Sequence, residues 1–401
     1  MIIPDFQQFG GRQTETAAFG NSLKFLGVTA PHTREPYSEP LLFGLGGGVG
    51  FSYFLFERAG AHPIHLGTRI HTKETEQPEF FQKIASRVGA PLEIQNSSSA
   101  TAASTNLKRR LDEGRPPIVG VDAARLPYLG LNGPLYIYYS VLAYGWDEST
   151  GAVMVADRCK TPVPIRFDDL RHARDTSWSP KFRTVTVVRP EAEPDITAVV
   201  ADAINECARQ LRGGLGITNF GLRGMEKWAT VLTSSKEKKS WPKIFSPGPT
   251  LYDALFSVFA QISARSDTGH AHRAYYAEFL EEAADLLGRP GLRLAAEQYR
   301  RADAEWAAVA DAHLPSSVPM FAEAKELAVR RRVLFEQQGL DAADEIAGIR
   351  GRLSDIQKEA HDNFPISFQD SRTLLNELRQ RVLKLRDVED DALRALESAM
   401  A

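Results

Sequence analysis

Hydrophobic positions change period several times over the first 189 residues and then settle into a helical repeat. Thr14 or Thr16 can cap a helix running through Lys24, with Ala17, Ala18, Leu23 and Phe25 available for packing and Gly27 ending it. From Glu39 to Phe56 the chain is apolar and carries five glycines between Gly44 and Gly50. That pattern fits either a helix entered from a loop or two short elements joined at the glycines. Phe80–Val88 and Ser104–Glu113 read as helices closed by Gly89 and Gly114. The period then becomes that of strands: Pro117–Asp122, Leu135–Tyr144, Val153–Ala156 and Thr184–Val188, with a turn over Asp147–Gly151 making a hairpin of the middle two. Helices followed by consecutive strands predict an α+β arrangement rather than a parallel, doubly wound sheet.

Pro190-Glu191-Ala192-Glu193-Pro194-Asp195 combines proline and charge with no apolar side chain larger than alanine, and marks a linker. Beyond it the pattern is almost entirely helical. One face carries Tyr276, Phe279, Leu280, Ala283 and Leu287, and another Ala295, Tyr299, Ala302, Trp306 and Val309. Ile346, Ile349, Leu353, Ile356 and Ala360 continue the series, followed by Leu375, Leu378, Val382 and Leu385. These stripes read as seams of a helical bundle. The expected division is a first domain over residues 1–189 and a helical domain over 190–401.

The length of 401 residues suits two to three domains at roughly 150 residues each. With 48 basic against 51 acidic residues the formal charge is -3, which offers no footprint for nucleic acid. The one basic cluster, Lys236, Lys238 and Lys239 around Glu237, reads as a solvated loop. Two cysteines, Cys159 and Cys207, make neither a disulfide framework nor a zinc site. The first residues lack the pattern of a signal peptide, and no stretch approaches the roughly 20 apolar residues of a membrane span. A cytoplasmic protein without membrane association is expected.

The chemistry concentrates near the N-terminus. Phe9-Gly10-Gly11-Arg12-Gln13-Thr14-Glu15-Thr16 is followed by the helical run and then by Ser38-Glu39-Pro40-Leu41-Leu42-Phe43-Gly44-Leu45-Gly46-Gly47-Gly48-Val49-Gly50-Phe51. Two glycine-rich turns thus flank a short helix, and glycine permits close approaches that side chains forbid. The arrangement resembles the butirosin biosynthesis protein H family, whose first domain is papain-like. In that family the first turn typically carries His-Cys before Glu-Thr, and the Cys opens the helix as the acyl-carrying nucleophile. Here Gln13-Thr14 stands in that place, with Glu15-Thr16 retained.

The family's base, a His at the start of a strand ending in Gly-Tyr-Asp, corresponds to Tyr139 or Ser140 in Tyr138-Tyr139-Ser140-Val141-Leu142-Ala143-Tyr144-Gly145-Trp146-Asp147. No His lies between His71 and His172. The family's third member, an Asp after the next strand, matches Asp157, which is equally suited to pairing with Arg158 or capping a turn. With the family's Cys and His both replaced, a thiolate–imidazolium mechanism is excluded, and the threonine hydroxyl would need a strong adjacent base. The resemblance implies catalytic roles for Thr14, Glu15, Tyr139 and Asp157. It implies substrate binding by Arg12, Gln13, Glu39, Gly46, Gly47, Arg69 and Arg273. Thr14 reads alternatively as a helix cap or pocket hydroxyl, and the glycine run as tight packing. Arg69 and Asp122 match recurring polar positions of the family; Arg69 suits a carboxylate or phosphopantetheine phosphate clamp, or an internal ion pair.

The second half resembles the helical domain of unassigned function that often follows this first domain, through Gly269-His270-Ala271-His272-Arg273-Ala274-Tyr275-Tyr276-Ala277-Glu278-Phe279-Leu280-Glu281-Glu282-Ala283 and Trp306 downstream. Arg273 with Glu278 or Glu281 is expected to form a buried polar cluster between the domains. His270 and His272, two apart, point to different faces of a helix, and Glu278, Glu281 and Glu282 lack the Glu-to-His spacing of a carboxylate metal site. Val49 breaks the dinucleotide fingerprint begun by Gly44-Leu45-Gly46, and no Lys-Ser or Lys-Thr completes a nucleoside-triphosphate loop. No cofactor and no metal is expected.

Two functions follow from the resemblance. One is a tailoring enzyme of specialised-metabolite and antibiotic biosynthesis that acts on an activated or carrier-bound acyl group, by acyl transfer, amide formation or cyclisation. The other is a catalytically inactive binding or scaffold protein. A small-molecule substrate, an acyl carrier protein and a second copy of the chain are the candidate partners; nucleic acid and membrane are not.

Overall fold

A computed structural model of the protein describes residues 1–57, 60–72, 78–131, 137–176, 181–245 and 247–401. The fold is mixed, with helices and antiparallel strands. The chain divides into two compact units that do not follow its linear order. Unit 1 comprises Met1–Gly46, His71–Val199 and Arg331–Arg350; unit 2 comprises Gly47–Ile70, Val200–Arg330 and Gly351–Ala401.

Unit 1 opens with α1 (Thr14–Phe25) and α2 (Glu39–Leu45). The apolar run from Glu39 to Phe56 is thus two elements joined at the glycines: α2, and then β1 (Ser52–Leu55), which pairs antiparallel with β2 (Ile64–Gly67) in unit 2. Ser38 caps α2 by accepting from the Leu41 amide, and Pro40 stands in the first turn, where its missing N–H is no loss. Helix α3 (Glu79–Val88) ends, as expected, at left-handed Gly89. Strand β3 (Leu92–Gln95) and helix α4 (Ala100–Asp112) follow. Ser99 caps α4, so it begins four residues before the expected Ser104.

Next come β4 (Ile118–Asp122), β5 (Tyr138–Asp147), β6 (Ala152–Ala156), β7 (Val163–Arg166), α5 (Phe167–Arg174) and β8 (Thr184–Val187). Leu135 and Tyr136, expected to start the long strand, lie outside the described residues. The six strands form one antiparallel sheet in the order β3-β8-β4-β5-β6-β7. β5 is central and buried from Tyr139 to Gly145, with a register shift between Ala143 and Gly145 where Ile2 bridges to Gly145.

After the linker the helices are α6 (Ile196–Arg212), α7 (Gly221–Thr233), α8 (Trp241–Ile244), α9 (Pro249–Ser263), α10 (Arg273–Leu287), α11 (Gly291–His313), α12 (Pro319–Gln338), α13 (Ala343–Asp362) and α14 (Phe368–Met400). In unit 2, α11 packs along α14, α10 and α9, and α14 also packs on α7. The stripe residues Tyr276, Phe279, Leu280 and Ala283 of α10, Ala295 through Val309 of α11 and Leu378, Val382 and Leu385 of α14 are all buried in these seams. In unit 2, Trp228 stacks with Phe51 and with Trp306, and the three ring centroids are 5.8 to 6.2 Å apart. Among the described residues no helix is long and apolar enough to cross a membrane.

Candidate functional site

Helix α1 begins at Thr14 because Gln13, not Thr14 or Thr16, is its cap. The Gln13 backbone is extended (φ -129°, ψ 136°), and its side-chain oxygen accepts from the amides of Glu15 at 2.9 Å and Thr16 at 2.7 Å. Its Nε2 donates to Glu15 Oε2 at 2.6 Å. A glutamine does here what serine or threonine does more often, because it reaches two helix amides and still has a donor left for the neighbouring carboxylate.

Glu39, at the start of α2, holds the approach to that cap. Its carboxylate accepts from the Arg12 amide at 3.0 and 3.1 Å, from the Gln13 amide at 3.4 Å and from Thr16 Oγ1 at 2.8 Å. The Gly10 amide donates to the Asp157 carbonyl at 3.1 Å and Asn21 Nδ2 to the Gly10 carbonyl at 3.1 Å, so the turn is tied to the end of β6. Thr14 is partly exposed, and its Oγ1 accepts from the Ser140 amide of β5 at 3.0 Å.

Tyr139 and Asp157 meet in a buried network. Tyr139 OH donates to Asp157 Oδ1 at 2.6 Å, Tyr128 OH to Oδ2 at 2.7 Å, and the Arg158 amide to Oδ1 at 2.7 Å. Arg158 Nε donates to Tyr139 OH at 3.1 Å, and its Nη1 pairs with Glu336, which also receives Arg332 at 2.6 Å. Of the two expected roles of Asp157, the carboxylate accepts from the backbone of Arg158, while the guanidinium goes to Glu336. Burial pushes the Asp157 carboxyl above its usual range, against the opposing pull of Arg158 and the hydrogen bonds from Tyr139 and Tyr128. Burial likewise drives both phenols well above theirs. Burial opposes the charge of Arg158, but Tyr139, Glu336 and Asp157 outweigh it and hold the guanidinium protonated.

Unit 1 therefore brings together Arg12, Gln13, Thr14, Glu15 and Glu39 around the start of α1, with Thr14 against β5 and Tyr139 against Asp157. Thr14 and Tyr139 do not share a hydrogen bond, and neighbouring residues of a strand face opposite ways. Gly46 closes α2, and a Cβ there would stand 2.1 Å from the Phe80 ring, which is close packing. Asp122 caps the turn over Ala123–Arg125 and accepts from the Ala124 and Ile137 amides at 3.1 Å each. Tyr128 and Glu336 were not expected. Tyr128 sits in Leu126-Pro127-Tyr128-Leu129-Gly130, which carries no pattern beyond a turn, and Glu336 is 178 residues from its partner.

Gly47, Arg69 and Arg273 belong to unit 2. Arg273 is fully buried there. Its Nε donates to Glu389 Oε1 at 2.7 Å, Nη1 to the Ala271 carbonyl at 2.7 Å and the Thr68 carbonyl at 3.3 Å, and Nη2 to the Gly50 carbonyl at 2.8 Å. Trp306 lies 5.1 Å from the guanidinium and donates to Glu389 Oε1 at 2.6 Å. The carboxylate facing Arg273 thus comes from α14, whereas Glu281 pairs with Arg300 at 2.6 Å on the surface. Among the described residues no group of three or more His, Cys, Asp or Glu is placed to hold a metal ion.

Residues 13–158 match the profile of the N-terminal domain of butirosin biosynthesis protein H, and residues 168–318 match that of a domain of unknown function (DUF4872). No curated protein matches the chain. The two matches follow one another without overlap, the first containing the Gln13–Thr14 turn and Asp157, the second containing the Gly269–Arg273 segment. The chain belongs to the butirosin biosynthesis protein H-like family, a biosynthetic family in which this N-terminal domain precedes a helical region.

Proposed function

We propose that the protein serves specialised-metabolite biosynthesis through a papain-like first domain (residues 1–189, before a helical domain of residues 190–401) that binds an acyl substrate or partner at the Thr14 turn without covalent chemistry there. The observation that carries this reading is how fully the groups around Thr14 are engaged. The Glu15 and Thr16 amides of the first helical turn, which could help stabilise an oxyanion, are taken by Gln13, and the Arg12 and Gln13 amides before them by the Glu39 carboxylate. Asp157, the orienting carboxylate of the resemblance, accepts from two tyrosines and an amide. Among the described residues, Thr14 Oγ1 accepts from the Ser140 backbone amide and meets no base.

One observation favours the enzymatic reading. Thr14 is partly exposed and accepts the Ser140 amide, so its own proton is left to donate to a bound acyl oxygen. The test is incubation of the full chain with S-acetyl-N-acetylcysteamine, a minimal thioester, followed by peptide mass spectrometry and product analysis. A saturation-transfer NMR signal of binding, with no acetylation of the Thr14 peptide and with any thioester loss unchanged in Thr14→Ala, is the expected result. An acetyl mass on that peptide, or turnover that Thr14→Ala abolishes, overturns the proposal in favour of the tailoring enzyme.

A further inference from the structure

We propose that His270 and Asp303 form a proton-accepting dyad on unit 2, a second chemical site that deprotonates the hydroxyl, thiol or amine of a bound nucleophile. It uses none of the residues around Thr14, so the reading of that turn can fail without touching it.

The proposal starts from the backbone. Two consecutive residues with side chains, Ala271 (φ 51°, ψ 28°) and His272 (φ 66°, ψ 13°), stand in the left-handed region just before α10. Each such residue costs about 1–2 kcal/mol relative to the right-handed form, so neighbouring bonds must hold the turn. Arg273 Nη1 secures the Ala271 carbonyl at 2.7 Å, and Thr268 Oγ1 lies 2.7 Å from His272 Nδ1. Asp303 of α11 brackets the segment, its Oδ1 accepting from the His270 amide at 2.5 Å and the Ala274 amide at 3.3 Å. Gly269 makes room for that carboxylate: it has φ +74°, and a Cβ there would stand 2.4 Å from Asp303 Oδ1.

With Oδ1 engaged by the backbone, Oδ2 is left 3.2 Å from His270 Nδ1. Donation of the Nδ1 proton to Oδ2 fixes the tautomer and leaves the Nε2 lone pair as the proton acceptor. The His270 side chain is 35% exposed and that of Asp303 19%, so the base is within reach of solvent while its carboxylate is shielded. His272, two residues on, cannot substitute. It is held neutral by burial and by the nearby Arg69, Arg273 and Arg265 charges, and its Nδ1 is engaged by Thr268.

The step balances simply. As the nucleophile's oxygen, sulfur or nitrogen bonds to an activated acyl carbon, its proton passes to Nε2. The leaving group departs with its electron pair, and the imidazolium, stabilised by Asp303, returns the proton to the leaving group or to water. For the probe p-nitrophenyl acetate, water is the nucleophile and p-nitrophenolate the leaving group.

The test is p-nitrophenyl acetate hydrolysis by the full chain. His270→Ala should lower the protein-dependent rate roughly a hundredfold and Asp303→Asn at least about tenfold, with added imidazole restoring the His270→Ala variant. Hydrolysis by His270→Ala at the rate of the unaltered protein, or a loss that imidazole does not restore, overturns the proposal. Because Asp303→Asn also touches the turn, 15N NMR of histidine-labelled unaltered protein supplies a reading that needs no variant. A neutral His270 protonated at Nδ1 supports the dyad, and one protonated at Nε2 refutes it.

Discussion

His313 gives the most quantitative test of the helical unit. It ends α11 inside unit 2, stacked 5.7 Å from Trp228 and edge-on to Trp241 at 6.1 Å, with Nδ1 2.7 Å from the Val309 carbonyl. Burial lowers its pKa from 6.5 to about 4, against the smaller raising effect of the Val309 hydrogen bond. The unfolded chain therefore takes up a proton below about pH 6.5 that the folded chain refuses until about pH 4. Folding loses stability as the pH falls through that window, and the contribution is fully present above it. The whole window is worth about 3.4 kcal/mol at 1.36 kcal/mol per pH unit, of which about 2.4 kcal/mol falls between pH 7 and pH 4.5. His313→Phe keeps an aromatic ring between the two tryptophans and cannot titrate. Urea unfolding followed by tryptophan fluorescence at both pH values should show the unaltered protein losing about 2.4 kcal/mol more than the variant on acidification. Carboxylates titrate alike in both proteins, so the difference isolates His313. Equal losses would refute the argument that this imidazole is held neutral by burial.

Arg273→Met should destabilise the protein by about 3–5 kcal/mol in urea unfolding, because Glu389 is left charged and buried without its partner. Adding Glu389→Gln should recover part of that loss. Asp157→Asn should change the pH dependence in the direction opposite to His313. Burial raises the Asp157 carboxyl, so the folded chain keeps its proton above 3.8 while the unfolded chain releases it, and stability falls as pH rises through that interval. Urea midpoints measured upward from pH 4 should show a shallower decline in the asparagine variant than in the unaltered protein.

Local chemistry made much of the fold legible. The closing glycine of α3, the Asp147–Gly151 turn, the β5–β6 hairpin and the buried stripes of α10, α11 and α14 all follow from turn residues and periodicity. Less visible were the elements whose signals compete. β7 alternates buried Val163 and Ile165 with exposed Pro164 and Arg166, but a proline inside a strand argues against one unless it lies on the sheet edge, where β7 lies. α5 is dominated by Asp and Arg and buries only Leu170, Ala173 and Arg174. The Gln13 cap was hidden because serine and threonine are the commoner caps and two threonines stood adjacent. For the candidate site, the cluster around α1 was legible from its glycines and from the family resemblance. The partners Tyr128, Glu336 and Glu389 were not, since a residue's distant partner is set by tertiary packing and leaves no local pattern.

The same bonds that stabilise the Thr14 region oppose turnover there. A tetrahedral intermediate formed at the start of α1 needs backbone N–H groups pointing at its oxyanion. The Glu15 and Thr16 amides would have to leave Gln13, whose Nε2 would then lose the geometry that binds Glu15. The Arg12 and Gln13 amides would have to leave a carboxylate, which binds them more strongly than a neutral acceptor does. Glu39 would also remain as a negative charge beside the forming one. A reversal at Thr14 alone, restoring a thiol, would meet all these obstacles unchanged. With the Arg12, Gln13, Glu15 and Thr16 amides held by Glu39 and Gln13, the proposed role of the turn is binding without covalent transfer.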